Sequence, residues 1–152
     1  MIDWGIVARA IHILAVVAWI GGVWMVTMVL LPNLRERRSD DWVREFDAIE
    51  RRFAPQVRIA VLLVLLSGLY MLYEYDLWDR FADARFWWMD LMVGLWVLFA
   101  LMLFAIEPIL AHRLRARRGG VTLARMLWLH RVLLVLSLAT IFAAVGGAHG
   151  LF

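Results

Sequence analysis

The stretch Ala10–Leu31, AIHILAVVAWIGGVWMVTMVLL, carries one ionisable side chain, His12, in an otherwise apolar run broken only by the hydroxyl of Thr27. As a helix it would be about 33 Å long, enough to cross the hydrocarbon of a bilayer. It lacks the alternation of a barrel strand, and lipid leaves unpaired backbone groups without partners, so a spanning helix is the conformation it predicts. Three more segments read the same way: about Ile59–Tyr73, Phe86–Ile106 and Met126–Ala148. The expectation is an all-α fold, an integral membrane four-helix up-down bundle forming one domain over 1–152. Its helices are expected at about 5–32, 53–75, 85–112 and 122–149. The second is the shortest and gains length upstream through Phe53 and Ala54. The first reads as a retained helix, because its apolar run is long and no basic stretch precedes it.

Composition agrees. Of 152 residues 64% are hydrophobic and the mean hydropathy is +0.78, whereas soluble domains hold roughly 45–50% apolar residues. A chain this short cannot hide that much apolar surface inside itself, so the lipid bilayer is its first partner. Cysteine is absent, which excludes disulfides and thiolate chemistry. All 16 basic residues are arginine, which removes lysine-based catalysis.

Arginine placement sets the orientation and argues against nucleic acid as a partner. Arg35, Arg37, Arg38, Arg44, Arg51, Arg52 and Arg58 follow the first span, and Arg113, Arg115, Arg117, Arg118, Arg125 and Arg131 surround the start of the fourth. The opposite side has Arg9, Arg80 and Arg85 among Asp3, Glu74, Asp76, Asp79 and Asp83. The positive-inside rule then makes the first side cytoplasmic and both termini external, in a membrane read as a bacterial inner membrane. Between the first two spans, Trp42, Phe46, Ile49 and Phe53 recur at helical spacing and suggest an amphipathic surface helix.

The four histidines carry most of the possible chemistry. Helices 1 and 4 run antiparallel, so His12 and His149 fall on the external side at similar depth. Gly146 and Gly147 beside His149 leave room for a planar group. Two imidazoles can ligate a haem from opposite faces, and a four-helix core can house the macrocycle. The plainer reading is that His12 bonds a neighbouring helix while His149 meets interfacial water. His130 and His112 belong to the basic side, as interfacial groups or as ligands of a second haem. His130 cannot share an iron with His149, which lies about 28 Å away along the same helix. Asp90, one turn into helix 3, is a candidate proton acceptor or a partner for Arg9, and Arg9 could also neutralise haem propionates. Trp19 shares a face with His12 and could line a cofactor cleft. Most other tryptophans read as interfacial anchors.

Ala10-Ile11-His12, Val17-Ala18-Trp19-Ile20-Gly21-Gly22, Ile49-Glu50-Arg51-Arg52, Pro55 and Ser67-Gly68-Leu69 together resemble the membrane superfamily of HemJ-type protoporphyrinogen oxidases and the CopD copper-resistance domain. The resemblance covers helices 1 and 2 and implies that His12 binds b-type haem. The lysine those proteins carry early in helix 3 has no counterpart here, where Trp88-Met89-Asp90-Leu91 stands. Three functions follow as expectations. The first is a haem b membrane redox protein acting on a quinol or porphyrinogen-like substrate, with His12 and His149 as ligands and Asp90 handling protons. The second is a CopD-like copper-handling protein. The third is a non-catalytic subunit of an oligomer or larger membrane complex.

The orientation is testable directly. Reporter fusions at Ser39 and Gly119 should report a cytoplasmic location and a fusion at Phe152 an external one; an external signal at Gly119 would reverse it.

Overall fold

The computed structural model describes residues 2–37, 42–106 and 123–151, and all regular structure among them is helical. Helix α1 runs over Trp4–Met25, widens to a π-turn at Val26–Leu30 and ends with Leu31–Glu36. Asp3 caps its start, accepting from the amides of Gly5 at 2.9 Å and Ile6 at 3.1 Å. Pro32 accounts for the π-turn. A proline has no N–H and its ring collides with the carbonyl four residues back; the widened turn moves that carbonyl aside, and the Leu31 amide bonds the Val26 carbonyl instead. Helix α2 spans Trp42–Glu74. Two short 3-10 turns, Trp78–Ala82 and Ala84–Phe86, lead into α3, Trp87–Leu101, which passes into a second π-turn at Met102–Ile106. That turn also stops two residues short of a proline in the sequence, Pro108. Helix α4 covers Leu123–Ala148.

All four helices are long and apolar enough to cross a membrane, and the chain is an integral membrane protein of the all-α class. Only 17–33% of each apolar window is buried within the bundle, so most apolar side chains face outward to lipid. Helix α1 packs most extensively on α2, while α4 lies against both α1 and α3. The core forms three layers. Near the basic end, Val26, Leu31, Leu34, Phe46 and Leu127 cluster. Trp19, Val61, Phe99, Leu133 and Leu134 fill the centre, and Trp88, Met89 and Ala143 close the acidic end. Small residues permit the close approaches: a Cβ on Gly22 would collide with the Phe53 ring, and one on Gly147 with the Trp88 indole. Across the bundle, the Trp96 indole N–H donates to the Val61 carbonyl at 2.9 Å.

Two departures from the expected boundaries have local causes. Helix α2 begins at Trp42 rather than near 53, so the amphipathic segment is the first part of the spanning helix and not a separate surface helix. Phe46 keeps it helical by burying its ring against α1 and α4. Helix α1 continues to Glu36 because Leu34 is buried in the same cluster. The third helix was expected to reach 112; its end, with His112, lies outside the described residues.

Both helix ends on the acidic side stop with a left-handed residue. After α4, Gly150 has φ +71°, the Leu151 amide bonds the Gly146 carbonyl at 2.9 Å and the Gly150 amide bonds the Gly147 carbonyl at 3.3 Å. This is a Schellman stop. After α2 the same pair of bonds joins Leu77 to Leu72 at 3.1 Å and Asp76 to Tyr73 at 3.4 Å, but the left-handed residue is Asp76, φ 50°. An L-residue in that conformation costs roughly 1–2 kcal/mol, which glycine avoids. Asp76→Gly is therefore expected to stabilise the detergent-solubilised protein by about 1 kcal/mol and Gly150→Ala to destabilise it by a similar amount. Thermal midpoints check both, and equal shifts of one sign would contradict the assignment.

Candidate functional site

His12 lies on the inward stripe of α1, between Ala8 and Ala15, and is half-buried. Its Nδ1 is 3.0 Å from Ser67 Oγ on α2, and its ring edge faces Gly68. Residues of two of the sequence motifs, around His12 and around Ser67-Gly68, thus meet in space. The Ser67 hydroxyl donates to the carbonyl of Leu63, one turn back on its own helix. A hydroxyl has one proton to give, so toward His12 it accepts. The neutral imidazole therefore carries its proton on Nδ1, and Nε2 is left with its lone pair.

The other described histidines reach the same tautomer by another route. His130 Nδ1 lies 3.0 Å from the Met126 carbonyl and His149 Nδ1 2.8 Å from the Val145 carbonyl. A carbonyl only accepts, so both rings donate from Nδ1 and keep Nε2 bare. A ligating histidine commonly has its second nitrogen engaged in this way. A bond to a carbonyl one turn back is also an ordinary resting place for a helical side chain. Only His12 is held across a helix interface.

The expected site residues divide between one end of the bundle and two faces. The Thr27 hydroxyl donates to the Val23 carbonyl at 2.6 Å and reaches the His130 carbonyl on α4 at 3.4 Å. This contact fixes the register of α1 against α4. Moving fifteen residues outward from it sets His12 level with Val145, so His149 lies about 6 Å further toward the acidic end. The two histidines share an end of the bundle, and each has its own hydrogen-bond partner. Arg9 is exposed there, its guanidinium carbon 5.6 Å from the centre of the Tyr75 ring, and that cation–π contact replaces the expected pair with Asp90. Asp90 is exposed in the first turn of α3, on the outward stripe that includes Gly94, Val97 and Leu101. There it complements the positive end of the helix dipole. It does not face the side of α1 that carries His12.

Two features of the centre differ from the expectation. Trp19 is 3% exposed and packs edge-on against Phe99, with ring centroids 4.9 Å apart, so it belongs to the packed core and does not line an open cleft. Its indole N–H is the one fully buried side-chain polar atom among the described residues without a hydrogen-bond partner. The space beside Gly147 is filled by Trp88, so that glycine serves helix packing. Ser67 was visible in the sequence only as part of a motif; nothing in the sequence alone pairs it with His12. Among the described residues no three His, Asp or Glu side chains converge as a metal-binding group.

The fold and these positions define a four-helix integral membrane protein with a buried-side imidazole near one end. No family model, curated protein or solved structure matches the chain significantly.

The tautomer assignment can be read by nitrogen NMR on histidine-labelled protein. His12 should be Nδ1-protonated at neutral pH, and Ser67→Ala should turn it to a tautomer mixture while leaving His130 and His149 unchanged. An Nε2-protonated His12 in the unaltered protein would contradict the geometry.

Proposed function

We propose that the chain is a haem b protein of a bacterial inner membrane, with the basic end cytoplasmic, both termini external and His12 as an axial ligand. The observation that carries this reading is the His12–Ser67 bond, which orients the ring across a helix interface. The resemblance to the HemJ and CopD superfamily supports it, because the motifs that meet at His12 are among those that carry the resemblance.

The donor set favours haem over copper. The macrocycle brings four of the iron's ligands, so the protein has to supply only one or two imidazoles. A bare copper ion would take most of its donors from side chains, and among the described residues no three His, Asp or Glu side chains converge. When bound, haem supplies a one-electron iron centre. The chain's own residues would hold it: His12 from α1, His149 as a second ligand from the end of α4, and the exposed Arg9 as counter-charge for propionates. Asp90, on the outward face of α3 and away from His12, would take a proton from a quinol or porphyrinogen-like donor in the bilayer. His130, with His112 beyond the described residues, would serve a second haem at the basic end.

A second reading, a subunit that packs within a larger membrane assembly, is favoured by Gly21 and Gly94. A Cβ at either position would meet nothing within 4 Å, so both leave notches in the outer surface where another helix could approach.

One spectrum separates the readings. Protein purified from haem-replete membranes should show a Soret band and a b-type reduced-minus-oxidised spectrum; a colourless protein overturns the haem reading. His12→Ala should abolish haem retention. His149→Ala should leave none or a five-coordinate high-spin species, and an unchanged low-spin spectrum would remove His149 from the site. His130→Ala should leave haem content unchanged if one haem is bound, whereas loss of about half would establish the second site.

A further inference from the structure

A cleft of about 540 Å³ opens at the basic end between the last turns of α1 and the early turns of α4, lined by Pro32, Arg35, Glu36, Leu127 and Arg131. We propose that it is a binding site for the phosphodiester headgroup of an anionic phospholipid, held by Arg35 and Arg131. The inference rests on the helices spanning a bilayer and is independent of the haem reading.

Three observations point to this occupant. The first is position. Both helices cross the membrane, and the cleft lies at their arginine-bearing ends, where headgroups pack. Trp128, 63% exposed and next to Leu127, sits where an interfacial anchor belongs. The second is direction. Side chains lean toward the N-terminus of their own helix. On α4 that tilt carries Arg131 outward to the interface; on the antiparallel α1 it carries Arg35 inward. The two long side chains therefore converge on one cleft although their Cα atoms stand at different depths, and Arg131 keeps its guanidinium out of the hydrocarbon by the same lean.

The third is charge. None of Arg35, Glu36 and Arg131 forms a hydrogen bond or ion pair with another described residue. Two guanidiniums and one carboxylate leave the cleft one unit positive, which one phosphodiester neutralises. Guanidinium groups present paired N–H donors that fit phosphate oxygens. Leu127, 3% exposed, and Pro32 supply an apolar wall for the glycerol and upper acyl carbons. Basic pockets between spanning helices on the cytoplasmic side are a known way of holding anionic headgroups.

Native mass spectrometry of the delipidated full chain, titrated with phosphatidylglycerol or phosphatidylcholine, tests the proposal. The unaltered protein should prefer phosphatidylglycerol by roughly tenfold, about 1.4 kcal/mol. Arg35→Gln/Arg131→Gln should bring the two lipids near parity, and Glu36→Gln, which removes the competing carboxylate, should widen the preference. Arg80→Gln/Arg85→Gln, the same loss of charge at the opposite end, should leave it unchanged. Parity in the unaltered protein overturns the proposal, as does full preference in the Arg35/Arg131 double variant or loss of preference in the Arg80/Arg85 variant. Should the double variant fail to fold, a Glu36→Gln protein with an unchanged or narrower preference overturns it as well. Displacement of phosphatidylglycerol by equimolar inorganic phosphate would mark a free-anion site and remove the lipid from it.

Discussion

Hydrocarbon offers no hydrogen bonds, and the polar groups that enter the bundle answer to that constraint, the buried Trp19 indole N–H excepted. The backbone meets it by forming helices. The side-chain hydroxyls meet it by bonding carbonyls one turn back on their own helix: Thr27 to Val23, Ser67 to Leu63, Ser137 to Leu133 and Thr140 to Leu136. His130 and His149 follow the same rule with their Nδ1 atoms. Trp96, Thr27 and His12 use their polar atoms to reach a second helix. These contacts tie α3 to α2, α4 to α1 and α1 to α2. Each of these three joins a different pair of helices, and apolar layers pack around them.

Proline and glycine shape what the apolar layers can do. Pro32 does not end α1. It widens the preceding turn, and the helix goes on for another turn that buries Leu34 and presents Arg35 and Glu36 at the cleft. Pro55 sits within α2 on an exposed face near the basic end, where water can reach the backbone that its missing N–H leaves unpaired. Gly22 and Gly147 accept the rings of Phe53 and Trp88, which lock α1 to α2 and α4 to α3. The bundle is thus assembled from two hairpins, each closed by an aromatic ring seated on a glycine of the neighbouring helix.

Hydropathy alone made the class legible, because four runs near twenty residues admit few other conformations in a chain this apolar. The start of α2 was harder. The spacing of Trp42, Phe46, Ile49 and Phe53 suits a surface helix as well as the flank of a span, and only the burial of Phe46 between α1 and α4 decides for the second. The site was legible as residue types and not as pairs. His12 stands out as an ionisable group within a span, and antiparallel topology returns His149 to the same end. Their partners depend on rotation of each helix about its axis, which a nearly uniform apolar run does not encode. Trp19 shows the same limit: its spacing from His12 marked a shared stripe, but only packing shows that the stripe beneath it is filled by Phe99.

The two imidazoles at the acidic end differ in what it costs to move them, and this ranks them as ligands. His149 occupies the last position before the Gly150 stop, is exposed, and bonds a carbonyl of its own last turn. Water can replace that bond, so the ring can swing at little cost. His12 is half-buried within the bundle, and its ring is held across the interface by Ser67, so moving it breaks an interhelical contact. A ligand whose orientation is fixed beforehand does not have to be ordered on binding. In the proposed haem reading, His12 would therefore define where the cofactor sits, and His149, about 6 Å further out by helix register, would adjust to it.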